Sequence, residues 1–149
     1  MKIYIGADHR GVELKEKIIK ILNSLDHDVI NCGTNDPHVS CDYPKIAYQV
    51  AAQVVKTKKS FGMLVCMSGI GHTIAANKVR GAYAALCYNA EAAQLSRQHN
   101  NANILVLGAK FIKPKDLKKI VTLWLSTSFE GGRHLRRFKQ IQAIEKKEM

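Results

Sequence analysis

The chain has 149 residues, of which 46% are hydrophobic and 23% charged, so we expect one globular domain spanning residues 1–149. Its formal net charge is +11, with eleven Lys and Arg against four Asp and Glu in residues 110–149, which favours an anionic partner such as a phosphorylated small molecule or a nucleic acid. No apolar run approaches the roughly 20 residues of a membrane span and no signal-peptide pattern opens the sequence, so a cytoplasmic enzyme or binding protein is expected.

Short apolar runs alternate along the chain with stretches in which apolar residues recur every three or four positions. Such alternation is typical of βαβ units, so we predict a three-layer α/β/α, Rossmann-like fold with a five-stranded parallel sheet and helices on both faces. The predicted strands lie at 2–7, 27–33, 61–66, 82–87 and 103–109. The predicted helices lie at 14–25, 44–55, between the third strand and about residue 78, at 89–98, at 114–124 and at about 133–148.

Polar and reactive residues flank several of the predicted strands. Asp8 and His9 follow the first strand, Cys66 ends the third, and His99 and Asn100 precede the fifth. Ligands of parallel sheets bind at the carboxyl ends of the strands. We therefore expect these residues to meet at one edge of the sheet.

The common motifs for nucleotide binding, metal binding and serine hydrolysis are absent from the sequence. The turns "GADHRG" (6–11) and "GIGHTI" (69–74) each lack one glycine of the dinucleotide fingerprint, and no P-loop, H-E-x-x-H or G-x-S-x-G pattern occurs. The four cysteines form no C-x-x-C and none has a histidine at zinc-ligand spacing. No metal and no cofactor is predicted.

The segment "CMSGIG" (66–71) places a thiol where an apolar strand runs into a glycine-rich turn. Backbone N–H groups at the start of the following helix form an anion site and are expected to depress the pKa of Cys66, which would make it a competent base or nucleophile. The alternative is a small buried core residue, the usual state of a reduced cysteine. Position alone leaves both interpretations open.

Several motifs together resemble a known family. They are "GADHRG", "DYP" (42–44), "CMSGIG", "AANKVRG", "LSRQHNNANIL" and "FEGGRHLRRF". In order and over essentially the whole chain, they are similar to ribose-5-phosphate isomerase B, of the family shared with galactose-6-phosphate isomerase. The resemblance implies an aldose–ketose isomerase that interconverts ribose 5-phosphate and ribulose 5-phosphate through a cis-enediol(ate), without metal or cofactor, in the non-oxidative branch of the pentose phosphate pathway. It also implies homodimers, in some members dimers of dimers, whose sites are completed by the neighbouring subunit.

The resemblance assigns catalytic roles to four residues of this chain. Cys66 matches the base that takes the proton from C2 and returns it at C1. His99 matches the acid/base that opens the sugar ring, and Asp8 matches a group close to the sugar hydroxyls. Ser68 stands where threonine is usual, and its hydroxyl matches a group that assists proton transfer at the oxygens.

The resemblance also assigns the residues that hold the substrate. His9, Arg133 and Arg137 match the phosphate grip, and the two arginines share a helix face because they are four residues apart. The remaining matches are Tyr43 lining the pocket, Asn100 on the sugar or enediolate, and the anion-hole amides of Met67, Ser68, Gly69, Ile70 and Gly71.

Three positions depart from the family pattern. Met67 replaces a glycine, which keeps the amide but reshapes the turn, and Ser68 loses a methyl group relative to threonine. Lys110 stands where an arginine often assists the phosphate, and keeps the charge but not the bidentate fork. We assign no substrate contact to His72, His134 or Arg136.

Two other functions remain open at this stage. A six-carbon isomerase of the same family, acting on allose or galactose 6-phosphate, would need its basic grip one carbon further away. A non-catalytic module that binds a phosphorylated ligand or nucleic acid would account for the basic charge. However, the aromatic residues are few and not interleaved with basic ones, so a base-stacking surface is poorly supported.

Overall fold

The computed structural model describes residues 1–148, and over this range the chain forms five strands and six α-helices. The strands are β1 (Lys2–Ala7), β2 (Asp28–Asn31), β3 (Ser60–Cys66), β4 (Ala84–Leu86) and β5 (Ile104–Gly108). The helices are α1 (Val12–Ser24), α2 (Tyr43–Lys56), α3 (Ile70–Ala76), α4 (Ala90–Asn100), α5 (Pro114–Ser126) and α6 (Gly132–Glu148), and a single 3-10 turn, His9–Gly11, joins β1 to α1. In this described range, no helix has the length and apolar character that crossing a membrane requires.

The five strands form one parallel sheet in the order β2-β1-β3-β5-β4. Helices cover both of its faces, which confirms the predicted three-layer fold. Alternation along β5 shows how: Leu105 and Leu107 pack against α1 and α5 on one face, while Ile104 and Val106 pack against α2 on the other. A strand buried on both faces is continuously apolar, and this is why β5 appears in the sequence as an unbroken hydrophobic run.

The strand order changes direction between β1 and β3. The connection from β1 enters α1 on one face of the sheet, whereas the connection from β3 enters α3 on the other face. A crevice therefore opens between the carboxyl ends of these two strands, where ligands of open α/β sheets bind. This topology places the ends of β1 and β3 beside one another.

A buried arginine fixes the end of α4. The guanidinium of Arg97 lies over the ring of Phe61, 4.6 Å from its centroid, and its Nε donates to the Thr127 carbonyl at 3.3 Å. It also donates to the Ala102 carbonyl. A buried cation needs such partners, and these tie α4 to the segment that leads into α6. The position of His99, two residues further along α4, is set by this anchor.

Candidate active site

The thiol of Cys66 lies at the carboxyl end of β3, buried at the mouth of the crevice. Its Sγ accepts a hydrogen bond from the Gly69 N–H at 3.0 Å, and Ser68 Oγ accepts one from the Ile70 N–H at 3.3 Å. Gly69 has a φ of 82°, in the left-handed region. The turn "CMSGIG" therefore folds back on its own thiol, as a strand-to-helix turn requires.

A residue on the neighbouring strand also has to be glycine for this turn to fit. A Cβ at Gly108 would lie 2.4 Å from the Ser68 carbonyl oxygen. The Ala109 and Lys110 N–H groups donate to the carbonyls of Cys66 and Met67, at 2.8 and 3.0 Å. The end of β5 thus holds the backbone on either side of the thiol and brings Lys110 to the same edge of the sheet.

We expect Gly69→Ala to lower the free energy of unfolding and to distort the turn. A side chain in the left-handed region costs roughly 1–2 kcal/mol, and this Cβ would also lie 2.4 Å from a methyl of Leu86. The matched control is Gly81→Ala, because Gly81 has a φ of 85° but its nearest neighbour is a Val55 methyl at 3.3 Å. Urea denaturation of both variants measures the difference. Equal destabilisation would show that the Leu86 contact adds nothing.

The expected depression of the Cys66 pKa is wrong for this chain. Burial raises the pKa of the thiol, and the negative charge of Asp8 raises it further. The backbone N–H groups of Gly69, Ser68 and His72 oppose both effects without cancelling them. These amides do not replace all the water that the thiolate loses at the buried end of a strand. Folding of the isolated chain therefore disfavours the thiolate of Cys66.

Asp8 and His9 leave β1 next to this thiol. One carboxylate oxygen of Asp8 accepts from the N–H groups of Arg10 and Gly11, at 3.0 and 3.1 Å, and so caps the 3-10 turn. Burial raises the pKa of this carboxyl group. The Nδ1 of His9 accepts from the Cys41 N–H at 3.4 Å, so the proton of the neutral ring lies on Nε2. Both side chains are held by backbone contacts.

Tyr43, the first residue of α2, packs against the turn that follows Cys66. Its ring lies so near the turn that a Cβ at Gly71 would be 2.6 Å away. It also packs edge-on against the ring of His72, with the centroids 5.8 Å apart. The first set of candidate residues, which we call the thiol group, lies together at this edge of the sheet: Asp8, His9, Tyr43, the turn 66–71 and Lys110.

His72, for which the sequence suggests no role, is completely buried behind this turn. Within residues 1–148 neither of its ring nitrogens has a hydrogen-bond partner. Burial lowers the pKa of His72 to about 4, from an ordinary value of 6.5. The unfolded chain therefore takes up a proton at a higher pH than the folded chain does.

We expect this difference to make the protein acid-sensitive. The stability that depends on a neutral His72 is fully present above pH 6.5. It is lost as the pH drops from 6.5 towards 4, by about 3 kcal/mol at roughly 1.4 kcal/mol per pKa unit. His72→Leu should flatten the dependence of the free energy of unfolding on pH in this window, as measured by urea denaturation. Replacing the exposed His38 by alanine serves as the control and should leave it unchanged. An identical slope in His72→Leu would contradict the assignment.

His99 and Asn100 do not join the thiol group within one chain. They end α4, and the chain then enters β5 at its amino end. Cys66 pairs with Gly108 at the opposite end of that strand, four residues beyond Ile104, or about 13 Å at 3.3 Å per residue. The expectation that these residues all meet at one edge is therefore wrong. A residue that precedes a parallel strand lies at its amino end.

The second group surrounds a cavity of about 230 Å³ between α4 and α6. Arg137 lines it beside His99 and Asn100, so one predicted phosphate ligand does accompany the predicted acid/base. Arg133 lies on the same helix, with Nε 3.5 Å from His134 Nε2. We call the polar residues here the histidine group: His99, Asn100, Glu130, Arg133, His134 and Arg137. The apolar side chains of Phe138 and Ile141 complete the lining of the cavity.

Sequence reasoning missed two members of the histidine group. His134 is buried, and its ring stacks on that of His99 with centroids 4.0 Å apart and planes within 7°. A Glu130 carboxylate oxygen lies 3.4 Å from His134 Nε2 and 3.9 Å from His99 Nε2. The spacing of His134, Phe138 and Ile141, four and then three residues, was the signal that one face of α6 points inward.

Three members of the histidine group, His99, Glu130 and His134, form the one set of three potential metal ligands in residues 1–148. The ligand atoms of His99, Glu130 and His134 lie within 4.8 Å of one another. The lone pair of an imidazole nitrogen lies in the plane of its ring, and the two rings are nearly parallel. The lone pairs therefore do not converge on one point, as tetrahedral coordination requires.

The chain is similar to known proteins over most of its length. The profile of the ribose/galactose isomerase family matches residues 3–141. Ribose-5-phosphate isomerase B of Escherichia coli is 42% identical over 146 residues, covering 98% of this chain and 97% of that protein. The solved structure of ribose-5-phosphate isomerase B from Clostridium thermocellum has a TM-score of 0.94 at 43% identity and covers both chains completely. That from Mycoplasma genitalium, with bound ribulose 5-phosphate, has a TM-score of 0.93 at 42% identity over 97% of this chain and 96% of its own.

Proposed function

The chain belongs to the ribose/galactose isomerase family, and from that premise we propose that it interconverts ribose 5-phosphate and ribulose 5-phosphate. The observation that carries this proposal is the Cys66 thiol, held 3.0 Å from the Gly69 amide in a turn of backbone N–H groups. Aldose–ketose isomerisation needs a base beside a carbon acid and donors for the charge that develops on oxygen. The thiol group supplies both within one turn.

Cys66 carries the proton between the two carbons. Its thiolate removes the proton from C2, the C2–H electrons form the C1=C2 bond, and the carbonyl oxygen at C1 becomes an oxyanion. The amides of residues 67–71 stabilise that oxyanion, and Ser68 assists proton transfer between the oxygens. Return of the proton to C1, with a carbonyl at C2, yields the ketose. Burial raises the pKa of the thiol, so Cys66 must first lose its own proton, and the backbone N–H groups of the turn, with that of Gly69 3.0 Å from Sγ, stabilise the thiolate that forms.

Ring opening belongs to the histidine group. His99 exchanges protons with the ring oxygen and the anomeric hydroxyl, while Asp8 and Asn100 hold sugar hydroxyls. His99 and Cys66 lie at opposite ends of the sheet in one chain. We therefore propose a homodimer in which the histidine group of one subunit faces the thiol group of its neighbour.

The surface around the turn supports this assembly. Met67, Ile70 and Ile74 are 39, 53 and 59% exposed beside the thiol. Apolar side chains clustered on a surface mark a place of association. Their cover by a second subunit would also exclude water from the reacting carbons.

The phosphate is gripped from both subunits in this proposal. His9 and Lys110 belong to the thiol group, and Arg133 and Arg137 belong to the histidine group of the neighbour. Arginine suits this role because its planar guanidinium donates two parallel hydrogen bonds to a phosphate.

We expect Arg137→Ala to raise KM for ribose 5-phosphate roughly tenfold to a hundredfold, which corresponds to the 1.5–3 kcal/mol of a charged hydrogen bond. The matched control is Arg136→Ala, which removes the same charge from α6 at a residue that does not line the cavity. Steady-state kinetics at fixed ionic strength measure both variants. An equal rise in KM for the two variants would show that α6 attracts the substrate through its overall positive charge and that Arg137 makes no specific contact.

Isomerisation by the purified protein in EDTA, with ribose 5-phosphate and allose 6-phosphate as parallel substrates, tests the proposed function. Turnover of ribose 5-phosphate with the higher kcat/KM is the expected result. Preference for allose 6-phosphate would favour a six-carbon isomerase, and turnover of neither sugar would favour a binding module. The four free thiols support the accompanying proposal of a reducing, cytoplasmic location. The proposed role in the non-oxidative pentose phosphate pathway rests on the proposed substrates alone.

A further inference from the structure

The stacked imidazoles of His99 and His134 are unequal partners. The His134 side chain is 8% exposed and lies against α4, whereas that of His99 is 36% exposed on the last turn of α4. Their centroids are 4.0 Å apart and their planes differ by 7°. One ring is therefore enclosed by protein, and the other rests on it with a free edge towards the cavity.

His99 needs something to fix its ring. An imidazole turns about two side-chain torsions, and a general acid must stay within hydrogen-bond reach of one oxygen. Glu130 does not supply the restraint, because its nearest oxygen is 3.9 Å from His99 Nε2, beyond hydrogen-bond distance. The flat contact with His134 restricts rotation of the ring and leaves its in-plane nitrogens free.

His134 is suited to be the fixed partner. Its Nε2 lies 3.4 Å from a Glu130 oxygen, to which an N–H would donate, and 3.5 Å from the Arg133 Nε–H, from which a lone pair would accept, so either tautomer has a partner that fixes the ring. Burial, with the nearby His99 and Arg133, lowers the pKa of His134. A lowered pKa favours the neutral form of His134, and a neutral ring does not repel a positively charged neighbour.

We propose that His134 is a positioning residue, whose buried ring holds His99 in the orientation that opens the sugar ring. This inference rests on the proposed function, since it assumes the ring-opening role of His99. It gives His134 a part in ring opening alone and none in the transfer of a proton from C2 to C1.

Ring opening can be measured separately from isomerisation. In a Cys66→Ala background the carbon-bound proton stays in place, but ring opening and closing still exchange the α and β anomers of ribose 5-phosphate. Saturation-transfer NMR measures that exchange. Adding His134→Ala should slow the enzyme-catalysed exchange roughly tenfold or more, within the 10²–10⁴ that a positioned acid/base contributes. Adding His134→Phe, which keeps a flat ring, should retain most of it.

His99→Ala in the same background is the reference for complete loss, and thermal unfolding monitors the fold of each variant. His134→Gln keeps the bulk without a flat ring, and replaces the alanine variant if that fails to fold. Unchanged exchange in His134→Ala or His134→Gln would overturn the proposal, as would equal loss in His134→Phe. Wild-type isomerisation without any anomer exchange in Cys66→Ala would overturn this inference and leave the proposed function standing, whereas absence of wild-type isomerisation would refute that function.

Discussion

Cys66→Ala is expected to lower kcat for ribose 5-phosphate by about 10³-fold or more, because the variant has no group to carry the proton between C2 and C1. KM should change little, since the phosphate ligands are other residues. The fold should survive, because alanine removes one sulfur atom at the end of β3 and leaves the backbone pairing of β3 with β1 and β5 in place. Measurement of kcat and KM, with thermal unfolding alongside, separates loss of chemistry from loss of structure.

A second thiol provides the control for that result. Cys32 is half-buried beyond β2 and takes no part in either group of candidate residues. Cys32→Ser should therefore keep wild-type kinetics. If Cys66→Ala retained substantial turnover, the base would have to be another residue, and the buried carboxyl group of Asp8 would be the next candidate.

The second large effect is recovery of activity from two inactive proteins. Cys66→Ala lacks the base and His99→Ala lacks the ring-opening group, and each alone should be nearly inactive on ribose 5-phosphate. Refolded together in equal amounts, they should regain about a quarter of wild-type activity, because random pairing makes about half the dimers mixed and each mixed dimer has one intact site of two. The physical reason is that Cys66 and His99 lie at opposite ends of the same sheet.

Each variant refolded separately is the baseline for this measurement, and differently tagged chains show that mixed dimers have formed. Mixed dimers without recovered activity would place both residues of a site in one chain and refute the shared site. Loss of wild-type activity on dilution, restored on concentration, is the companion result expected of a dimer. Full activity of a proven monomer would contradict it.

The local sequence pattern was sufficient to predict the helices and strands, but not the contacts between them. The apolar run 103–109 and the periodic stretch 14–25 correspond to β5 and α1, because strand and helix periods are written in neighbouring residues. The pKa of Cys66 could not be read in this way. It depends on how much water the folded chain removes from the thiol, and the surrounding strands determine that.

The partner of His134 could not be predicted from the sequence either. Its period marks an inward-facing position on α6, yet the ring that it stacks on belongs to α4, 35 positions earlier in the chain. Glu130 approaches both rings from the segment before α6. Contacts between elements this far apart depend on how the helices pack against the sheet.

The sequence by itself determined the parallel α/β architecture, the thiol at a glycine turn and, through its motifs, the isomerase family. These properties follow from short-range periodicity and from residue identity. Only the tertiary structure decided that Cys66 is buried and its pKa raised, that His72 lies without a hydrogen-bond partner in the described chain, and that the candidate site is divided between two ends of the sheet. Solvent exclusion and the direction of parallel strands produce these features, and both arise only when distant segments pack together.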